Sequence, residues 1–206
     1  MNYDEALARA ENVLMYLKPF CERVGIAGSI RRKKQDDIKD IEIVAVPIFY
    51  EQDISTNLTG EKMIQRTDML AVRVEQLLSE GIFGHGDPDK TGKRAPCGPK
   101  YYRLRYDGEK LDLFVVIPPA QWGVIFAIRT GDKDFSHWLV TRALEIGMKV
   151  DGGSLYQIGS NFEIAIPTPE ETDFFKALKV KWIEPEKRDF KALGLNIRDL
   201  LETGAH

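Results

Sequence analysis

Apolar residues recur at helical spacing near the start of the chain, where Ala6, Ala10, Val13, Leu14 and Leu17 fall on one stripe of an amphipathic helix spanning 4 to 18. Pro19 ends or kinks it. Val24, Ile26 and Ala27 then predict a short strand leading into Gly28-Ser29. After a basic run the period changes. Asp40-Ile-Glu-Ile-Val-Ala-Val-Pro is rich in β-branched residues and predicts a strand. Glu61 to Glu80 reads as a second helix, and Gly81 to Pro99, with its spaced Gly, Pro, Asp and Lys, as a long surface loop. Tyr101 to Tyr106 and Lys110 to Ile117 predict two strands joined by Asp107-Gly108, a hairpin-turn pair. Residues 120 to 130 and 133 to 146 have helical patterning, with Gly147 placed to stop the second helix. Short strands near 148 to 151, 154 to 158 and 162 to 166 predict a small antiparallel sheet. Thr168-Pro169-Glu170-Glu171 has the cap, the proline and the acidic third position that open a last helix. The fold class is therefore α+β: a mixed or antiparallel sheet with flanking helices over 1–118, a boundary at Pro118-Pro119, and a small α+β subdomain over 119–206.

Composition narrows the class. The chain has 206 residues, 43% hydrophobic and 30% charged, an ordinary globular balance that excludes wholesale disorder. The longest apolar stretches, 41 to 50 and 111 to 120, fall short of the roughly 20 residues that span a bilayer. The expectation is a soluble, cytoplasmic monomer with no membrane partner. Cys21 and Cys97 have no partners at zinc-like spacing, so neither a disulfide framework nor a structural zinc site is indicated. A net charge of −3 excludes binding of nucleic acid by bulk charge, yet the local distribution is uneven. Arg31-Arg32-Lys33-Lys34 is one basic segment; Lys90, Lys93, Arg94, Lys100, Arg103 and Arg105 form another, with Tyr101, Tyr102 and Tyr106 alongside. Each is equally consistent with a solvated face. The tyrosines suit base stacking and hairpin packing alike.

Candidate chemistry comes from carboxylates. Alternate strand residues face one way at about 3.3 Å rise per residue, so Asp40 and Glu42 share a face with roots roughly 6 to 7 Å apart. Val44 and Val46 continue that face, which carries charge at one end and core at the other. Asp112 repeats the pattern early in its own apolar strand. If the two strands are neighbours, three carboxylates meet as two-metal phosphoryl transfer requires; the alternative is that Asp40 and Asp112 are solvated strand ends. Gly28-Ser29 followed by Arg31-Arg32 supplies a complement, because glycine admits a phosphate to the backbone and arginine forks fit its oxygens.

These residues resemble the DNA polymerase X (polymerase beta-like) family, whose pattern is Gly-Ser-x-Arg-Arg, a short spacer, Asp-x-Asp on a strand and a third Asp on a later strand. Here they are Gly28-Ser29-Ile30-Arg31-Arg32, Asp40-Ile41-Glu42 and Asp112. Gln121-Trp122-Gly123 with Arg129 to Phe135 resembles the family's Thr-Gly segment, Ala143 to Gly147 the helix after it, and Pro167 to Arg188, with Trp182 and Pro185, its C-terminal end. The resemblance implies a palm domain followed by a subdomain that grips nucleotide and DNA. It implies Asp40, Glu42 and Asp112 as catalytic and metal-binding, holding two Mg²⁺ ions with Mn²⁺ as the alternative. It implies Gly28, Ser29, Arg32, Lys39, Thr130, Gly131, Asp132, Ser136 and His137 as nucleotide-binding. DNA would be met by Lys90, Lys93, Arg94, Lys100, Tyr101, Arg103 and Lys110, the last standing where the family has an arginine. The expected activity is gap-filling or repair synthesis from dNTP on primed DNA, of a viral or bacterial kind.

Three departures stand out. Glu42 replaces the second aspartate, Ile128-Arg129 replaces an aromatic pair that helps exclude a ribose 2′-hydroxyl, and only some 27 residues precede Gly28, so no lyase domain is expected. The alternatives are a nucleotidyltransferase acting on an RNA end, a small molecule or a protein, and a nucleic-acid-binding module with a decayed site. His85, between glycines, reads as a loop residue and Trp138 as core.

Overall fold

The computed structural model describes residues 1–56, 62–88, 92, 95–160, 162–190 and 200–201. Helix α1 (Tyr3–Leu17) opens with a capping box in which the Asn2 side chain accepts from the Glu5 N–H and Glu5 reaches back to Asn2. It buries Ala6, Ala10, Val13 and Leu17, the stripe its spacing predicts. The chain continues through β1 (Cys21–Ile26), one helical turn α2 (Gly28–Arg31), β2 (Asp40–Pro47), β3 (Phe49–Thr56), β4 (Lys62–Asp68), α3 (Met69–Ser79), β5 (Phe83–His85), β6 (Cys97–Gly98), β7 (Tyr101–Tyr106) and β8 (Glu109–Val115). Then come α4 (Trp122–Thr130), α5 (Lys133–Glu145), β9 (Met148–Asp151), β10 (Ser154–Ile158), β11 (Glu163–Ile166) and α6 (Glu171–Ala177). The class is α+β.

The main sheet runs β1-β2-β8-β7-β5, with β6 also on β7. Among the described strands only β2 and β8 are parallel, so the two carboxylate-bearing strands are direct neighbours in the middle of a mixed sheet. Alternation gives the sheet two unlike faces. One packs Ile41, Ile43, Ala45, Tyr102, Leu104, Leu111, Leu113 and Val115 against α1 and α3 in a single core. The other is apolar only in part: Ala27, Val44, Phe114 and Val116 gather under Trp122 at the start of α4. A separate core joins α4, α5, α6 and the antiparallel β11-β10-β9 sheet around Phe135, Trp138, Leu139, Phe174 and Phe175. Trp138 is core, as expected.

Buried ionic contacts join this C-terminal layer to the sheet. Glu171, 6% exposed, accepts from both guanidinium nitrogens of Arg31 at 2.9 and 2.5 Å and from Arg188 at 2.5 Å. Arg188 is fully buried, with Phe175 and Trp182 ring centroids 4.9 and 4.8 Å from its guanidinium carbon. Gly123 permits the close approach of α4 and α6, since a Cβ there would collide with the Thr168 and Glu170 carbonyls.

Several expectations need correction. The helix predicted over 61–80 is two elements. Lys62 to Asp68 pairs with β3 as a two-stranded ribbon, and the helix begins only after Asp68, whose side chain accepts from the Ala71 N–H. The stretch carries no alternating pattern, its apolar Met63 and Ile64 being adjacent and both exposed, and pairing with β3 alone makes it a strand. His85 belongs to β5, and the 81–99 stretch contains β5 and β6, both paired to β7. The last helix starts two residues later than its proline suggests. Glu170, not Thr168, is its cap, and Thr168 is buried with its N–H and hydroxyl on the Gln121 side-chain oxygen. The Asp107-Gly108 turn has both residues at positive φ, 49° and 78°, the conformation that the dipeptide favours.

Candidate active site

Register brings the chemistry together. In the parallel pair, Asp40 is opposite Lys110 and Glu42 opposite Asp112, so the three carboxylates lie on one face at the entry ends of two adjacent strands. On the far side, Arg103 of β7 is opposite Asp112. Asp112 is held: its Oδ1 accepts from the Tyr101 hydroxyl at 2.6 Å and lies 3.5 Å from Arg103 Nε.

Asp40 and Glu42 are not neutralised in this way. Burial first, then the neighbouring Asp112 charge, pushes the Asp40 carboxyl above its ordinary range, against the pull of Lys110, Arg32 and Lys39. Glu42 is pushed up to about 7 by burial, with Asp40 and Asp112 adding to it and Arg129 and Arg32 opposing. Desolvation and like-charge crowding together make both carboxyls hard to ionise, a cost that a cation beside them would relieve. Among the described residues no three His, Cys, Asp or Glu side chains close into a single metal-ligand cluster, so the carboxylates are neighbours on a face rather than a preformed cage. Their chemistry nonetheless fits a hard divalent cation: all donors are carboxylate oxygens, with neither imidazole nor thiolate among them.

Gly28 makes room for Glu42. Its φ of +61° is left-handed, and a Cβ there would overlap the Glu42 carboxylate. The turn that follows places Ser29 and Arg32 in a cleft of about 560 Å³ with Lys34, Asp37, Lys39, Asp40, Glu42, Asp132, Lys133 and Asp134. Of the residues expected to bind nucleotide, Gly28, Ser29, Arg32, Lys39 and Asp132 therefore converge on the carboxylates. Lys34 and Lys133 join them; the basic run contained the signal for the first. Arg32 also donates to the Thr130 carbonyl at 2.6 Å, which ties the cleft's two walls together.

The remaining residues have duties within the protein. Thr130 is fully buried and its hydroxyl accepts from Arg31 at 2.6 Å. Gly131 caps α4, Asp132 caps α5 by accepting from the Phe135 N–H, and the Ser136 hydroxyl donates to the Ile128 carbonyl at 2.7 Å. His137 is exposed along α5 and does not line the cleft.

A second cleft of about 570 Å³ meets the first at Glu42 and is lined by Lys100, Tyr101, Arg103, Asp112, Phe114 and Arg129 among others. Arg129 was legible only as a departure from an aromatic residue; its guanidinium carbon stands 3.9 Å over the Phe114 ring. Lys110 is exposed beside Arg103 and Arg105 in a smaller cleft. Lys90, Lys93 and Arg94 lie outside the described residues.

Residues 126–189 match the family model of the DNA polymerase beta thumb. No curated protein matches the chain. Among the described residues no helix is long and apolar enough to cross a membrane.

Proposed function

We propose that this chain, whose residues 126–189 match the DNA polymerase beta thumb, is a DNA polymerase of the polymerase beta-like X family that adds nucleotides to a primer 3′-hydroxyl in short-gap or repair synthesis. The observation that carries the reading is the in-register pairing of Glu42 with Asp112 on the face that also bears Asp40, where the cleft holding Asp40, Ser29 and Arg32 meets, at Glu42, the cleft holding Asp112. A thumb unit beside such a site favours DNA over a small-molecule acceptor.

Asp40 and Glu42 would hold divalent cations, with Asp112 the third ligand; two Mg²⁺ ions suit the donors, and Mn²⁺ is the alternative. Such ions, when bound, neutralise triphosphate charge and lower the pKa of an attacking hydroxyl. The protein supplies the rest. Ser29 and Arg32, with Lys39 and Lys34 at the rim, bind and orient the triphosphate. Asp112 orients the 3′-hydroxyl and favours loss of its proton. Lys110, opposite Asp40 in the sheet, opposes the rise of the Asp40 carboxyl. Lys100 and Arg103 offer cations to the DNA backbone. Positioning and charge compensation are the main contributions.

The deciding measurement is extension of a labelled primer on gapped, nicked and single-stranded DNA, with dNTP or NTP and either metal. Templated extension abolished by Asp112→Ala is the expected result. No extension under any condition would sink the reading, and transfer to an RNA end or small molecule in its place would move the site to another nucleotidyltransferase class.

A further inference from the structure

We propose that Tyr101 is a positioning residue for Asp112, its hydroxyl pinning one carboxylate oxygen with Arg103 bracing it from behind. The inference rests on the polymerase reading of the site and adds a part to it.

The sheet builds this arrangement. Tyr101 is opposite Phe114 and Arg103 opposite Asp112, so the tyrosine reaches Asp112 along the diagonal between strands. Its ring stacks on Phe114 with centroids 5.0 Å apart and planes 14° off parallel, which fixes where the hydroxyl can go. From there it donates to Asp112 Oδ1 at 2.6 Å, within the range of a charge-assisted O–H to carboxylate bond. Arg103 Nε donates to the same phenol oxygen at 3.1 Å and keeps its hydrogen turned toward the carboxylate. The phenol is thus a donor to Asp112 and an acceptor from Arg103. An aspartate side chain has two free torsions, and this contact restrains both while leaving Oδ2 untouched.

The same contacts bear on base stacking. One face of the Tyr101 ring is already covered by Phe114, and its polar tip is engaged. Outer-shell partners that orient ligand carboxylates are worth about 10- to 100-fold in metal affinity or activity.

The test is Tyr101→Phe in the full chain, which keeps the ring and its stacking but removes the bond. Expected are a kcat for gap extension lower by about 10- to 100-fold, a dNTP KM within about twofold of wild type, and unchanged affinity for gapped DNA. Mn²⁺ affinity, read from the electron paramagnetic resonance signal of free Mn²⁺ without DNA or nucleotide, should also weaken. Arg103→Gln should move the same quantities in the same direction by a smaller factor, and it carries the test if Tyr101→Phe lowers the melting temperature. Wild-type kcat and Mn²⁺ affinity in both variants would overturn the proposal, as would a loss of DNA affinity alone in Tyr101→Phe, which would give the hydroxyl to a DNA contact. A wild-type protein that binds Mn²⁺ but extends no primer would defeat the polymerase reading and leave the Mn²⁺ comparison to decide this one. Absence of Mn²⁺ binding to wild type would overturn both.

Discussion

Glu171 is a buried glutamate and Glu42 a half-buried one at the meeting of two clefts, and their surroundings are opposite. Glu171, between the sheet and the C-terminal layer, takes hydrogen bonds from Arg31 and Arg188. Glu42 faces Asp40 and Asp112, has no side-chain hydrogen bond among the described residues, and is pushed up to about 7. A buried carboxylate matched by arginine holds a structure together; one crowded by carboxylates is kept at a cost that only an incoming positive charge relieves. The contrast separates a joint from the proposed metal site within one small fold. It also falls across the segment the thumb model covers: Glu171 and Arg188 lie inside 126–189, and the three carboxylates outside it.

The largest expected effect comes from breaking the reactive side of the comparison. Asp112→Ala and Glu42→Ala should each reduce primer extension by on the order of 10³-fold or more, and Glu42→Ala should leave the melting temperature unchanged or raised. Removing one like charge from a crowded cluster relieves repulsion. A clear drop in thermal stability for Glu42→Ala would show that the cluster is a structural element and would collapse the distinction.

Glu171→Ala should do the reverse. Deleting the partner of two arginines, one of them fully buried, leaves uncompensated charge in the interior and should lower unfolding free energy by about 3 to 5 kcal/mol in denaturant titration. Activity should fall only as far as the wall built on Arg31 and Thr130 shifts. Replacing Glu171 by alanine with a loss under about 1 kcal/mol would mean that aromatic packing around Arg188 suffices for the joint.

These two glutamates also mark what could be read from the chain. Asp40 and Glu42 were recognisable as a pair because a strand has period 2, and Asp112 because its strand repeats the motif. Their meeting, however, depends on β2 and β8 being parallel neighbours in a particular register, and strand pairing is set by the whole sheet. Glu171 looked like a helix-start residue, while its partner Arg31 lies 140 positions away and looked like a phosphate ligand. Long-range pairs of that kind leave no local pattern. The Tyr101 contact was hidden for the same reason. Two tyrosine roles fitted the hairpin equally well, and only the diagonal geometry of β7 on β8 decides that the hydroxyl meets Asp112. The ribbon of β3 and β4 was lost to a helical reading because its second strand abuts α3 without a break.

Acidity offers a smaller and more specific probe of the same pair. Glu42 has a folded-state pKa of about 7 against an ordinary 4.5, so the folded protein binds a proton more tightly than the unfolded chain. Its contribution is fully present below pH 4.5 and is lost as pH rises through 7. For metal-free protein, Glu42→Gln should match wild type near pH 4.5 and exceed it at pH 8 by up to about 3 kcal/mol in denaturant titrations. Added Mg²⁺ should narrow that gap, because a bound cation stabilises the ionised wild-type site and gives little to the amide. A gap that is flat across this range would mean that Arg129 and Arg32 already neutralise Glu42.

The smallest effect is expected at an ion pair that looks, on distance alone, as good as the buried ones. Arg23 bonds both oxygens of Glu170 at 2.6 and 2.7 Å and stacks 4.1 Å over Trp122, so it too links the sheet to the C-terminal layer. Its side chain is 41% exposed and that of Glu170 is 53% exposed, compared with 20% for Arg31 and 7% for Glu171. Water and salt screen the first pair and scarcely reach the second. Arg23→Ala should therefore lower unfolding free energy by no more than about 1 kcal/mol, part of it lost packing on Trp122, and 0.5 M salt should erase most of the ionic share. A loss as large as that from Glu171→Ala would mean that connecting the two layers matters more than burial, and the contrast between the two glutamates would then rest on position alone.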